Sequence, residues 1–103
     1  MGYCNAHLSH GEYFLLLCEA ARGTCHVAYS QTWSSNIPAG THSTHGVGTR
    51  THNPSKNIFV EKDLTVPTGP VMKNSDPKAQ IAHDEYVFYD PTQVKLRYLI
   101  RVK

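Results

Sequence analysis

Glu85 opens a short run of aromatic and β-branched residues, Glu85-Tyr86-Val87-Phe88-Tyr89. A carboxylate at a loop–strand junction is held by the strand and remains reachable from the loop side, which suits a general base or a stabiliser of developing positive charge. Read alone, the same residue is more often a solvated glutamate at a strand end, and nothing local assigns it the chemical role. His42 and His45 stand three apart, with His52 close by. That spacing invites zinc, which takes about four ligands in tetrahedral geometry. No Cys-x-x-Cys accompanies them and Cys25 is remote, so no metal is expected; His42 and Ser43 are expected to hydrogen-bond their loop into shape. Gly40, Gly46 and Gly48 fit neither a phosphate-binding G-x-x-x-x-G-K pattern nor a dinucleotide fingerprint.

The bulk composition narrows the partners. Hydrophobic residues make up 40% and charged residues 17% of 103 positions, a globular composition with room for one small domain. A formal charge of +2 demands neither nucleic acid nor a membrane. Seven histidines add charge only below about pH 6.5. The three cysteines, Cys4, Cys18 and Cys25, are odd in number and lack a pairing pattern, so reduced thiols are expected, Cys18 as a small buried hydrophobe. No apolar run approaches the roughly 20 residues of a membrane span, and the N-terminus lacks the regions of a signal peptide.

The elements that must carry these residues read as strands. Tyr13 to Ala20 is apolar on consecutive positions, the pattern of a strand buried on both faces. A short strand is predicted within Thr24 to Tyr29, and others at Ile58 to Val60 and Leu64 to Val66. Residues 30–57 and 67–82 are rich in turn formers and read as long loops. Glu85 to Tyr89 forms a strand, Asp90-Pro91-Thr92-Gln93 a turn, and Lys95 to Lys103 an alternating strand. In that last strand Lys95, Arg97, Arg101 and Lys103 form a basic, solvated face. The two final strands are expected to pair across the turn. No amphipathic helix offers a covering layer. The fold class is therefore α+β, predominantly antiparallel β, with long loops and little helix, and the chain reads as a piece of a larger fold.

Two blocks carry a family resemblance. Gly40-Thr41-His42-Ser43-Thr44-His45-Gly46-Val47-Gly48 resembles the GKHSxKGLG block of DNA-damage-type poly(ADP-ribose) polymerases, with Thr41, His45 and Val47 in place of the usual Lys, Lys and Leu. Asp84-Glu85-Tyr86-Val87-Phe88-Tyr89, followed by Gln93-Val94 and Arg97-Tyr98-Leu99, resembles NEYIVYxxxQVxxRYLL, with Asp84 in place of Asn. Gly2-Tyr3-Cys4, Leu16 to Gly23 and Leu64 to Gly69 are similar to the family's NYC, LLGEVALG and VPLG segments. The blocks occur in family order.

The resemblance implies the C-terminal portion of the ADP-ribosyltransferase fold, residues 1–103. It implies an enzyme that moves ADP-ribose from NAD+ to protein acceptors or growing poly(ADP-ribose), with release of nicotinamide and without a metal. Glu85 is then the catalytic carboxylate and Tyr3 a nicotinamide-stacking residue, though a terminal tyrosine is otherwise a frayed end. The family's His–Gly pair, its second tyrosine and its amide-binding serine fall before the segment that Tyr3 matches. The chain is therefore expected to be incomplete and inactive alone, and DNA to be engaged only through regions upstream. A nuclear location is implied, otherwise a cytosolic one, and no membrane partner. The alternative is a non-catalytic β-sheet binding module or a remnant of such a domain.

Overall fold

The structure, a computed structural model, describes residue 7, residues 10–30 and residues 37–103. Ten strands lie within the described residues: β1 Tyr13–Ala20, β2 Cys25–Ala28, β3 Ser43–Gly46, β4 Gly48–His52, β5 Ile58–Glu61, β6 Leu64–Val66, β7 Val71–Lys73, β8 Ile81–His83, β9 Glu85–Phe88 and β10 Val94–Val102. Pro54–Lys56 and Pro91–Gln93 are single 3-10 turns. Strands predominate and helix is almost absent, as the sequence pattern implied. The chain divides into two compact units, Met1–Arg22 with Phe88–Lys103, and Gly23–Val87.

The first unit is an antiparallel ribbon of β1 and β10, in register from Tyr13↔Val102 to Ala20↔Val94, with a bulge between Leu17 and Cys18. This overturns the expected pairing of β10 with β9. The turn between them explains why. Asp90 caps it by accepting from the Thr92 N–H at 2.9 Å, and the Gln93 side chain accepts from the Asp90 N–H at 3.0 Å. Gln93 also donates through its side chain to the Ala21 carbonyl at 3.0 Å, while Ala21 N–H donates to the Gln93 carbonyl at 2.8 Å. The turn thereby delivers β10 onto the end of β1.

Leucines fill both faces of β1, as read, but they are not buried. Leu16 is 61% and its partner Leu99 67% exposed, and Cys18 is exposed as well. A two-stranded ribbon has no layer of its own to place on either face. Arg97 and Arg101 approach Glu19 and Glu12 at 3.7 and 3.8 Å, exposed pairs that add little to stability.

The Asp90 cap carries a testable pH dependence. The Thr92 N–H, then the Thr92 hydroxyl, hold its carboxyl below the ordinary 3.8. A depressed carboxyl adds stability above its unfolded value and loses it as pH falls through the folded one. The melting temperature should therefore decline below about pH 4. Asp90→Asn, which keeps an acceptor but does not titrate, should flatten the Asp90 part of that decline in thermal melts.

The second unit holds the sheets β2-β3-β9 and β7-β4-β8 and the hairpin β5-β6. β2 and β3 run parallel, as do β4 and β8, whereas β7 is antiparallel to β4. Strands β3 and β4 lie inside a stretch expected to be loop, and β7 and the start of β8 inside another. Their residues, Ser-Thr-His-Gly and Gly-Thr-Arg-Thr-His, have no apolar alternation; neighbouring strands impose the extended form. Val47 and Ile81 form the small buried apolar core of the described residues.

Candidate functional site

The site is assembled where β3 turns into β4 and where β8 passes into β9. Ser43 is fully buried at the start of β3 and shares a hydrogen bond with Cys25 of β2, Oγ to Sγ, at 2.9 Å. His42 before it accepts from the Thr24 N–H through Nδ1 at 3.0 Å, and its own N–H donates to the Thr24 carbonyl at 2.9 Å. The expected role of His42 and Ser43 as shapers of this segment matches these contacts. Val47 N–H donates to the Ala28 carbonyl at 2.8 Å and keeps the bend between β3 and β4 against β2.

Two buried glycines let the next strands come close. A Cβ on Gly46 would lie 2.7 Å from the Ile81 side chain and 3.7 Å from the Glu85 Cβ. A Cβ on Gly48 would overlap the backbone of His83 and Asp84. Asn74 secures the same place by donating from its side chain to the Gly48 carbonyl at 3.0 Å.

Asp84, at the junction of β8 and β9, receives three hydrogen bonds. Thr51 Oγ donates to Oδ2 at 2.5 Å, and Gly48 N–H to Oδ1 at 2.9 Å. His45 Nε2 lies 3.1 Å from Oδ1. The His45 ring also stacks on Tyr86, with centroids 4.4 Å apart and planes 11° from parallel. Partial burial alone would raise the Asp84 carboxyl, but the bonds from Thr51, Gly48 and His45 outweigh it and hold the group below its ordinary value. Removing this acceptor would strand a buried N–H, at a cost of about 1–3 kcal/mol.

Glu85 is the first residue of β9 and is exposed. Successive side chains on a strand alternate in direction. Asp84 and Tyr86 meet His45, while the Glu85 Cβ lies on the side of Gly46 and Ile81. The carboxylate therefore faces away from the Asp84 cluster. It is available to accept a hydroxyl proton or to stand beside a cationic carbon.

The structure places the Glu85 Cβ beside Gly46 of the 40–48 block. Tyr3 and Cys4 lie outside the described residues. The ring nitrogens His42 Nδ1 and His45 Nε2 are engaged by Thr24 and Asp84, and no group of three or more potential metal ligands occurs among the described residues. Sequence reasoning missed Thr51 and the role of Asp84. For Asp84 the signal was present in two departures from the family blocks, His45 for Lys and Asp84 for Asn, whose side chains meet.

The poly(ADP-ribose) polymerase catalytic domain family model matches residues 1–103. Poly [ADP-ribose] polymerase 2 of Arabidopsis thaliana is 38% identical over 102 residues, 98% of this chain and 16% of that protein. Poly [ADP-ribose] polymerase 1 of the same plant is 31% identical over 101 residues, 98% of this chain and 10% of that protein. The polymerase of Sarcophaga peregrina is 28% identical over 100 residues, 97% of this chain and 10% of that protein. The chain thus spans 10–16% of the length of these relatives. With all of residues 1–103 matched by the family model, the chain belongs to the poly(ADP-ribose) polymerase catalytic domain family.

Proposed function

We propose that this chain is the C-terminal part of an NAD+-dependent protein ADP-ribosyltransferase, with Glu85 as its catalytic carboxylate. The observation that carries the reading is the placement of Glu85, exposed at the first residue of β9, beside Gly46 of the matching upstream block. The bond broken is N-glycosidic. Positive charge develops on the ribose as nicotinamide leaves with the bonding electrons. A carboxylate beside that ribose stabilises the oxocarbenium-like transition state and can accept the proton of the attacking hydroxyl. The products are nicotinamide and an ADP-ribosylated acceptor, either a protein side chain or the end of a growing polymer.

Tyr3 is proposed to stack on nicotinamide through its flat face. The glutamate favours polymer formation over a single transfer. The exposed apolar ribbon of β1 and β10 fits a chain that packs against, and needs, further parts of its catalytic domain; alone it is expected to be inactive. A nuclear site of action and DNA engagement through other regions belong to the same proposal. The ribbon also suits a second reading, a non-catalytic module that binds an apolar partner.

One experiment separates the two readings. Nicotinamide release is measured with this chain alone, with the upstream half of the domain supplied in trans, and with Glu85→Gln in the complemented sample. Activity only with the complement, lost in Glu85→Gln, supports the transferase. A folded, complemented chain that releases no nicotinamide supports the binding module.

A further inference from the structure

We propose that Asp84 is a positioning residue for Glu85, and that it acts together with His45 and Thr51. The inference rests on the assignment of Glu85 above and extends it to the residues that aim it. Asp84 immediately precedes Glu85, and its carboxylate ties this point of the chain to three places on the β3–β4 segment: His45, the Gly48 N–H and Thr51. On the other side of Glu85, Tyr86 is clamped face to face on the same His45 ring. The residues before and after Glu85 are therefore fixed on one face of β9. Alternation along the strand sends Glu85 to the opposite face. It has no freedom to roll about the strand axis without breaking the Asp84 bonds or the His45–Tyr86 stack.

His45 and Asp84 are bonded to each other across 39 residues of sequence. Asp84 can accept from Gly48, Thr51 and His45 together because an ionised carboxylate offers two oxygens with about four lone-pair sites and no competing donor. His45 in turn supplies the flat ring on which Tyr86 rests, which a lysine does not.

The test uses the intact catalytic domain that carries this chain. Initial rates of nicotinamide release are measured against NAD+ concentration for wild type, Asp84→Ala, Asp84→Asn, Thr51→Val and Glu85→Gln, and for each of the first three changes combined with Glu85→Gln. Asp84→Ala is expected to lower kcat about 10- to 100-fold, the scale of a small misplacement of a catalytic group, with the KM for NAD+ changed less than about twofold. Asp84→Asn, which retains an acceptor for Gly48, is expected to recover kcat to within about threefold of wild type. Thr51→Val removes one bond without opening the core, and should lower kcat by roughly three- to tenfold, so the idea remains testable if Asp84→Ala folds poorly. In the Glu85→Gln background, each change should have less than about a twofold further effect, because a residue that acts only through Glu85 has nothing left to aim.

Wild-type kcat in both Asp84→Ala and Thr51→Val overturns the inference. So do losses that multiply fully with Glu85→Gln, since that is the behaviour of a general structural role. Unchanged turnover in Glu85→Gln itself is a separate outcome: it removes the assignment of Glu85, and the positioning role with it.

Discussion

In the intact catalytic domain that carries this chain, Glu85→Gln is expected to lower the rate of nicotinamide release by about 10²–10³-fold while leaving the fold in place. The substitution preserves side-chain length and an acceptor oxygen and removes only the negative charge. A glutamine can still hold a ribose hydroxyl, so the KM for NAD+ should change little. The loss falls on kcat, because full positive charge on the ribose exists only near the transition state. Glu85 is exposed, and no hydrogen bond or ion pair of its carboxylate is required to hold β9; Asp84 and Tyr86 do that on the other face. Stability should therefore stay within about 0.5 kcal/mol of wild type, as for most surface substitutions. Steady-state nicotinamide release paired with a thermal melt makes the check. A full-rate Glu85→Gln protein would remove the carboxylate from the mechanism. A slow protein with a large drop in melting temperature would show that Glu85 stabilises the fold, contrary to its exposed position.

The sequence was informative where one strand speaks for itself. The apolar run of β1, the aromatic run of β9 and the alternation of β10 each mark a strand locally, and β5 and β6 were placed within a residue of where they lie. Strands β3 and β4 were hidden because Ser43-Thr44-His45-Gly46 and Gly48-Thr49-Arg50-Thr51-His52 carry no apolar pattern. Their extended form comes from β2, β7, β8 and β9, which lie far away in sequence. Pairing was hidden for the same reason. A turn between adjacent strands suggests a hairpin, but the capped turn at Asp90 sends β10 to β1. The expectation for Glu85 came only from its family motif, since nothing local separates it from a solvated glutamate. Thr51 was not legible at all, because its hydroxyl gains meaning only through a carboxylate 33 residues on.

Gly48→Ala should be strongly destabilising, and the reason is space, not backbone freedom. Its φ lies outside the left-handed region that demands glycine. The added Cβ would instead overlap the Asp84 nitrogen and the His83 carbonyl carbon and sit 2.7 Å from the Arg50 carbonyl oxygen. All three are backbone atoms, which cannot swing aside as a side-chain tip can. Relief requires β8 and the start of β9 to withdraw from β4. That movement stretches the 2.9 Å bond from Gly48 N–H to Asp84 and loosens the cluster around His45. A cost of about 3 kcal/mol, the upper range for overpacking, is expected and is read as a lowered melting temperature. Gly40→Ala is the informative comparison. Its φ is 76°, but a Cβ there meets nothing within 4 Å, so it tests backbone strain without crowding. A cost of about 1 kcal/mol and a shift about one third as large are expected. If the two variants melt together, the crowding at Gly48 is relieved at little cost and close approach does not govern this contact. If Gly48→Ala melts lower by the expected margin and also loses nicotinamide release, the same contact that packs β4 against β8 keeps Asp84, and through it Glu85, in place.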